Sequence, residues 1–425
     1  MRRRNGVSII IRTLVSLAAM LMLAGDAAAQ VKYKSLYRFT GGKDGAVPVY
    51  GLVLDQAGNL YGTTTSGGQG YGVAFKVTPN KKGGRTESVL YSFCRLTACA
   101  DGAQPGGALI FDKAGNLYGT TTDGGGRALN GGTVFELSPN QSGGWKESVI
   151  YAFCALSRCV DGANPYSGLV FDQAGNLYGT TSNAGANGEG NVFELSPNRD
   201  GSWTESVLYS FCSVANCADG QNPYAGVILD QTGNIYGTTG YGGTGSGGVV
   251  FELSPNQKGG WTESVLHSFC SLKNCADGHG PSGDLIFDHT GNLYGTTNSG
   301  GAQGVGAVFE LTPKQNGAWM EKVLHSFCQL AGCTGQVPNA GLVFDQTGNL
   351  YGTTVFGGTG GGTGVVFRMT PKSGGGWSYR VVHNFLDKPG AEPGSALILD
   401  PAGNLYGTTE GDTSTTFGSV FEITP

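Results

Sequence analysis

Ten cysteines fall into five pairs, each with four residues between the partners: Cys94 with Cys99, Cys154 with Cys159, Cys212 with Cys217, Cys270 with Cys275, and Cys328 with Cys333. Thiols so spaced can ligate zinc or oxidise to a disulfide. Zinc takes four ligands, and no second pair of Cys or His recurs beside all five. The spacing therefore argues for five local disulfides, each closing a loop short enough to contribute at most about 2 kcal/mol. Bridges of this kind belong to oxidising compartments.

Seven aspartates, Asp55, Asp112, Asp172, Asp230, Asp288, Asp345 and Asp400, open copies of one phrase, D-x-x-G-N-(Leu/Ile)-Tyr-Gly-Thr-Thr. Seven carboxylates could form a functional array. Their fixed spacing to Gly and Asn fits turn chemistry better, with Asp capping the backbone and Gly taking the left-handed conformation. Trp145, Trp203, Trp261, Trp319 and Trp377 also recur. Such aromatics can stack on sugar rings, but packing at a strand rim is the expected role. His267, His325 and His383 fill the slot that Tyr91, Tyr151 and Tyr209 fill elsewhere, so they read as polar-tipped aromatics and not as catalysts.

One position breaks the repetition. Four residues before the phrase the copies place Gly51, Ala108, Gly168, Gly226, Gly341 and Ala396, whereas the fifth has Asp284. Tyr50, Tyr166, Tyr224 and Asn339 fall near the same point of other copies. A lone carboxylate among them could hold a cation or a polar ligand, although a metal site needs several convergent oxygens. We take Asp284, Tyr50, Tyr166, Tyr224 and Asn339 as the candidate ligand-binding set, with no catalytic residue, no metal site and no cofactor expected.

The elements that must position these residues follow from the period. The Asn of the phrase recurs at Asn59, Asn116, Asn176, Asn234, Asn292, Asn349 and Asn404, in steps of 57, 60, 58, 58, 57 and 55 residues. A fixed period of this size marks a repeat architecture. Each copy holds four short strands broken by turn signals, which is the grammar of a propeller blade. The first and third strands carry consecutive apolar residues, as when both sheet faces are covered. The second has a central Gly, suggesting that another backbone or sheet comes close. Only six fourth strands follow a third strand. The missing one has its copy in Lys32 to Phe39, which ends in the same Tyr-x-Phe as Tyr91 to Phe93. Fold class is thus all-β: a seven-bladed β-propeller of four-stranded blades, closed by the N-terminal strand and occupying residues 30–425 as a single domain. Thr40 and Leu386 replace the first Cys in the two remaining blades, so the disulfide is not required by the blade.

The phrases G-N-L-Y-G-T-T, x-V-F-E-L-(Ser/Thr)-Pro and E-S-V-L-Y-S-F resemble the bacterial tandem repeat grouped under the name Gloeo/Verruco (GloVer), over residues 31 to 425. The resemblance implies a secreted or surface-displayed repeat protein of unestablished activity. The first two strands are also similar to those of NHL-type propellers, and the Asp turn to Asp-box turns; both likenesses bear on fold.

Arg2, Arg3 and Arg4 precede an apolar run from Leu14 to Ala24 and then Ala27-Ala28-Ala29, the pattern of a signal peptide over residues 1–29. Without it the chain has 22 basic and 30 acidic side chains, too acidic a balance for nucleic acid. The expectation is an exported, periplasmic or extracellular monomer with no membrane span after signal removal. It would be a non-enzymatic binding or scaffold protein whose unknown ligand is a glycan or an envelope protein; the alternatives are a lectin-like propeller and a propeller hydrolase or lyase. Two loop sets alternate between the faces of such a ring. The face with the cysteine loops, the Asp-Gly pairs (Asp101, Asp161, Asp219, Asp277) and the variable Gly-rich loops is where binding groups are expected.

Overall fold

The computed structural model of the protein describes residues 31–81, 84–126, 131–328, 333–359, 362–386, 391–411 and 416–425. The expected signal segment, residues 1–29, lies outside them. Seven antiparallel sheets follow one another along the chain, each ordered from an inner to an outer strand. Blade three is representative: Val170–Phe171, Leu177–Thr181, Asn191–Pro197 and Trp203–Ser210. Blades two and five gain a short extra strand, Ala103–Pro105 and His279–Pro281, beside the second strand.

Blade seven is completed from the other end of the chain. Lys32–Arg38 pairs antiparallel with Ser419–Thr424, from Lys32 opposite Thr424 to Arg38 opposite Ser419. Closure leaves no third strand unpaired, so that edge is not open to a second chain.

The core is seven boundaries between blades. At the junction of blades two and three, Tyr118, Val134 and Phe153 meet Leu169, Leu177, Phe193 and Leu195. The same residue types meet at blades four and five, in Tyr236, Val250 and Phe269 against Leu285, Leu293, Phe309 and Leu311. The Thr-Thr of the phrase adds a polar clasp. Thr120 Oγ1 donates to Ser167 O at 2.9 Å, and Thr180 Oγ1 to Ala225 O at 2.9 Å, each crossing to the next blade. Where the ring closes, Thr408 Oγ1 reaches Tyr50 O at 3.3 Å.

The central glycine of the second strand has a different cause from the one expected. A Cβ on Gly179 would lie 2.7 Å from Phe193 Cζ and 2.9 Å from Leu169 Cδ2. The close approach comes from side chains of its own blade. Phe193 sits directly opposite Gly179 in the strand register and fills the space a side chain would take.

Candidate functional site in the axial cavity

The turn between the first two strands consumes its aspartate completely. Asp345 Oδ1 accepts from Thr347 N, Thr347 Oγ1 and Asn349 N at 2.7 to 2.9 Å, while Oδ2 accepts from Asn349 Nδ2 and Tyr351 Oη. Burial alone would raise the Asp345 carboxyl, but the Asn349 and Thr347 donors outweigh it and hold it below the ordinary carboxylate range. Every copy binds its Asp to the Asn of the same turn in this way, so none of the seven is free for a ligand.

The cysteine loops are equally structural. All five disulfides form within their own loops: Cys94 bonds Cys99, Cys154 bonds Cys159, Cys212 bonds Cys217, Cys270 bonds Cys275, and Cys328 bonds Cys333. No free cysteine remains for a metal among the described residues. The loops are more ordered than the spacing alone suggests. Cys99, Cys159, Cys217 and Cys275 each end a single turn of 3₁₀ helix, and these four share with Cys333 a left-handed backbone, with φ between 44° and 52°. Such a conformation is uncommon without Gly. Here the chain must reverse within four residues to bring the two sulfurs together.

The Asp of each Asp-Gly pair is buried beneath its loop: Asp101 accepts from Tyr91 Oη at 2.7 Å, Arg95 N at 2.8 Å and Leu96 N at 3.1 Å. Asp101, Asp161, Asp219 and Asp277 are thus removed from the candidate binding groups of this face. His267 replaces the tyrosine against Asp277, with Nε2 3.5 Å from Oδ2. Burial lowers the His267 pKa against the opposing pull of Asp277, and lowers that of His325 to about 4. Both imidazoles are packing groups. The tryptophans also pack at the rim, Trp145 edge-on to Tyr61 of the preceding blade at 6.2 Å and Trp203 to Tyr118 at 6.2 Å.

Between blades lies a further pattern. Opposite the fifth residue of the third strand, the outer strand places Glu87, Glu147, Glu205, Glu263 and Glu321 in five copies, and Tyr379 and Tyr33 in two. Glu147 has its Oε1 buried without a partner. Burial and then Asp101 of the preceding blade push its pKa up to about 7, against Lys146. Where the preceding loop has no such Asp, the tyrosine stacks instead on a histidine: Tyr379 on His325 at 4.0 Å and Tyr33 on His383 at 4.4 Å.

What remains for chemistry converges on the ring axis. A cavity of about 270 Å³ opens there and is lined by Asp284, Tyr50, Tyr166, Tyr224, Asn339 and Glu410, with small residues between them. All five sequence-derived candidates thus meet in one space. Asp284 Oδ1 accepts from Gly226 N of the neighbouring blade at 2.6 Å. Its side chain is open to the cavity yet ringed by protein. This enclosure raises the carboxyl pKa despite the Gly226 amide.

Glu410 was not in the sequence-derived set. It follows Thr-Thr, where the other copies hold Thr65, Thr122, Ser182, Gly240, Asn298 and Val355. Its carboxylate lies over Gly394, and burial first and Glu392 second push its pKa up to about 7. Around the mouth, Tyr166 and Tyr224 meet edge to face at 6.1 Å, Tyr224 and Tyr241 at 6.4 Å, and Tyr241 and His279 at 6.4 Å. Tyr166, Tyr224 and Tyr241 are each more than a third exposed. They form an aromatic arc beside two carboxyls, and among the described residues no Lys or Arg lines the cavity.

Comparison with known families gives three overlapping matches to the Gloeobacter/Verrucomicrobia repeat, over residues 25–159, 143–334 and 259–425. The chain belongs to the Gloeobacter/Verrucomicrobia repeat family. No curated protein matches it. Among solved structures it is similar to an ancestral GH74 enzyme, at TM-score 0.58 and 11% identity, covering 89% of this chain and 48% of that one. The chain thus spans about half the length of that enzyme chain. A putative oxidoreductase (glucose dehydrogenase) from Thermus thermophilus aligns at TM-score 0.41 and 16% identity, over 75% of this chain and 96% of that one. At such identities the first likeness speaks to the fold alone.

Within this Gloeobacter/Verrucomicrobia repeat protein the candidate residues stand at different offsets from a recurrent proline. Tyr166, Tyr224 and Asn339 directly follow the recurrent prolines Pro165, Pro223 and Pro338, whereas Tyr50 is one residue further from Pro48. Tyr50 is also the most enclosed of the three candidate tyrosines. Burial raises its pKa, with Tyr166 and Glu410 adding to the rise. Among the described residues no group of three or more His, Cys, Asp or Glu is placed to hold a metal ion, and no helix is long and apolar enough to cross a membrane.

Proposed function

We propose that the protein is a carbohydrate-binding propeller that takes a neutral or amine-bearing sugar at the axial mouth of its cysteine-loop face. The observation that carries this reading is the meeting of an exposed tyrosine arc with two carboxyls and an amide at a cavity whose described lining has no basic side chain. Aromatic rings pack against the apolar faces of sugars, and carboxylates accept hydrogen bonds from their hydroxyls. A cavity lined by acids and no bases disfavours anionic ligands.

The test is a glycan array that includes amino-sugar oligomers, probed with wild type and with Tyr224→Ala and Asp284→Ala. Binding by wild type that both variants lose by at least tenfold supports the reading. An array without hits, or hits that both variants retain, removes it.

A second reading rests on Glu410. Glycoside hydrolysis uses a pair of carboxyl groups, one of them with a raised pKa as general acid, and Asp284 and Glu410 share this cavity. Turnover of chromogenic glycosides that Glu410→Gln abolishes would favour hydrolysis over binding alone.

A further inference from the structure

The aromatic arc does not end where the axial cavity does. Tyr166 and Tyr224 line the cavity, whereas Tyr241 and His279 stand outside its lining. Ring contacts nonetheless carry the arc onward from Tyr224 to Tyr241 and from Tyr241 to His279, each at 6.4 Å between centroids. The arc thus runs over blades three, four and five, and its outer half belongs to no part of the cavity.

The blades themselves do not require these rings. The slot of Tyr166 and Tyr224 holds Gly106 in blade two and Gly394 in blade seven, and the slot of His279 holds Ala46, Ala103, Ala163 and Ala391 in four blades. Where Tyr241 pairs with Gln221, two other blades pair Ser66 and Ser299. The sequence also makes room for the arc. Gly240 stands where other copies have Thr65, Thr122 and Ser182, and a Cβ on it would lie 2.8 Å from Tyr224 Cδ2. The Tyr224 ring can lie against the backbone there only because that residue is Gly.

The outer members are fixed in place. Gln221 N donates to Tyr241 O at 2.9 Å, and Tyr241 N to Gln221 O at 3.2 Å. His279 pairs with Ser299 across a short antiparallel ladder, and its Nδ1 lies 3.1 Å from Ser299 Oγ. Rings held by backbone pairing are presented to a ligand without the cost of ordering a free loop.

The cavity, at about 270 Å³, falls below the roughly 300–1,000 Å³ of sites that enclose a drug-sized ligand. A sugar chain with its end in this space must leave it after a short distance, and the arc is the aromatic surface it then meets. Resting on the sugar reading above, we infer that the ligand is a linear oligosaccharide and not a monosaccharide, with one end beside Asp284 and Tyr224 and the following units along Tyr241 and His279. Apolar faces of successive sugars pack on such rings. Tyr241 and His279 are then the residues that read chain length, because they meet units that a monosaccharide lacks.

Calorimetric titration with glucosamine and N-acetylglucosamine, each beside its β-1,4-linked tetramer, tests the inference as a ratio of affinities. Wild type is expected to bind a tetramer at least tenfold more tightly than its monomer. Tyr241→Ser and His279→Ala, combined in one chain, are expected to bring that ratio close to one; other blades already hold Ser and Ala in these slots, so the fold tolerates both. Phe356→Ala removes the exposed ring that occupies the Tyr241 slot in blade six, and is expected to keep the wild-type ratio. Because none of these changes touches a carboxyl, a loss of ratio reports ring contact and not the added charge of a longer amine chain. Tetramers bound no better than monomers, or a ratio that the double variant retains, would overturn the inference while leaving the sugar reading in place. Binding of neither length would overturn both.

Discussion

On the turn face seven aspartates occupy seven equivalent hairpins, and each is saturated by its own turn. On the cysteine-loop face Asp284 stands where six copies have Gly or Ala, and it accepts one backbone hydrogen bond while facing a cavity. The same residue type does unlike work in the two places. A side chain repeated in every blade answers a need that every blade has, namely closing a turn. One present in a single blade answers a need of the ring as a whole.

The ring itself can be broken first. Deleting Lys32 to Phe39 removes the buried side chains of Leu36 and Phe39, each contributing about 1.5–3 kcal/mol, and uncovers the Ser419–Thr424 edge. The expected outcome is the largest loss of melting temperature in the series, with self-association seen by light scattering. A monomeric deletion variant of unchanged stability would contradict a closed ring.

The two aspartates separate next. Asp345→Ala leaves the Asn349 and Tyr351 donors without an acceptor, and is expected to cost about 1–3 kcal/mol in urea unfolding. Asp284→Ala is expected to change stability by no more than about 0.5 kcal/mol, since Ala108 and Ala396 already fill that slot. Equal losses would erase the distinction between repeated and singular residues.

The smallest effect concerns the boundary carboxyls. Glu147 has a folded pKa of about 7, above its ordinary 4.5. Its stabilising contribution is therefore complete below pH 4.5 and is lost as the pH rises through 7. Glu147→Gln cannot ionise. It should match wild type at pH 5 and melt about 1–2 °C higher at pH 8. Comparing variant with wild type also cancels the opposite trend of the buried histidines, whose lowered pKa values favour the fold as pH rises.

The fold was legible because its signals are local and repeated. The Asp turns, the cysteine pairs and the Tyr-x-Phe copy at Tyr37 to Phe39 can all be read within a single blade. Asp284 was legible as the exception to a column of small residues. Glu410, after Thr408-Thr409, was also the one carboxylate of its column, but that column varies more and the change stands out less. The partnership of Glu147 with Asp101 was hidden for another reason. It joins two blades, and only the packing of one sheet against the next brings an outer strand beside the preceding loop. The role of Gly179 was misjudged in the same way, because the sequence shows a missing side chain without showing that Phe193 occupies its place.

Closure by Lys32–Arg38 also orders events in time. The segment that finishes blade seven is synthesised before the first six blades and its partner strand after them, so the two are separated by the rest of the ring. Thermodynamically this separation is mild, since closing a loop costs only logarithmically more as the loop lengthens. Kinetically it makes a long-range contact late and slow. Until the final strand arrives, the early one waits with its ladder unsatisfied, and the axial mouth, which needs residues from blades one and seven together, does not yet exist. A protein assembled this way becomes competent only when its last strand has been delivered.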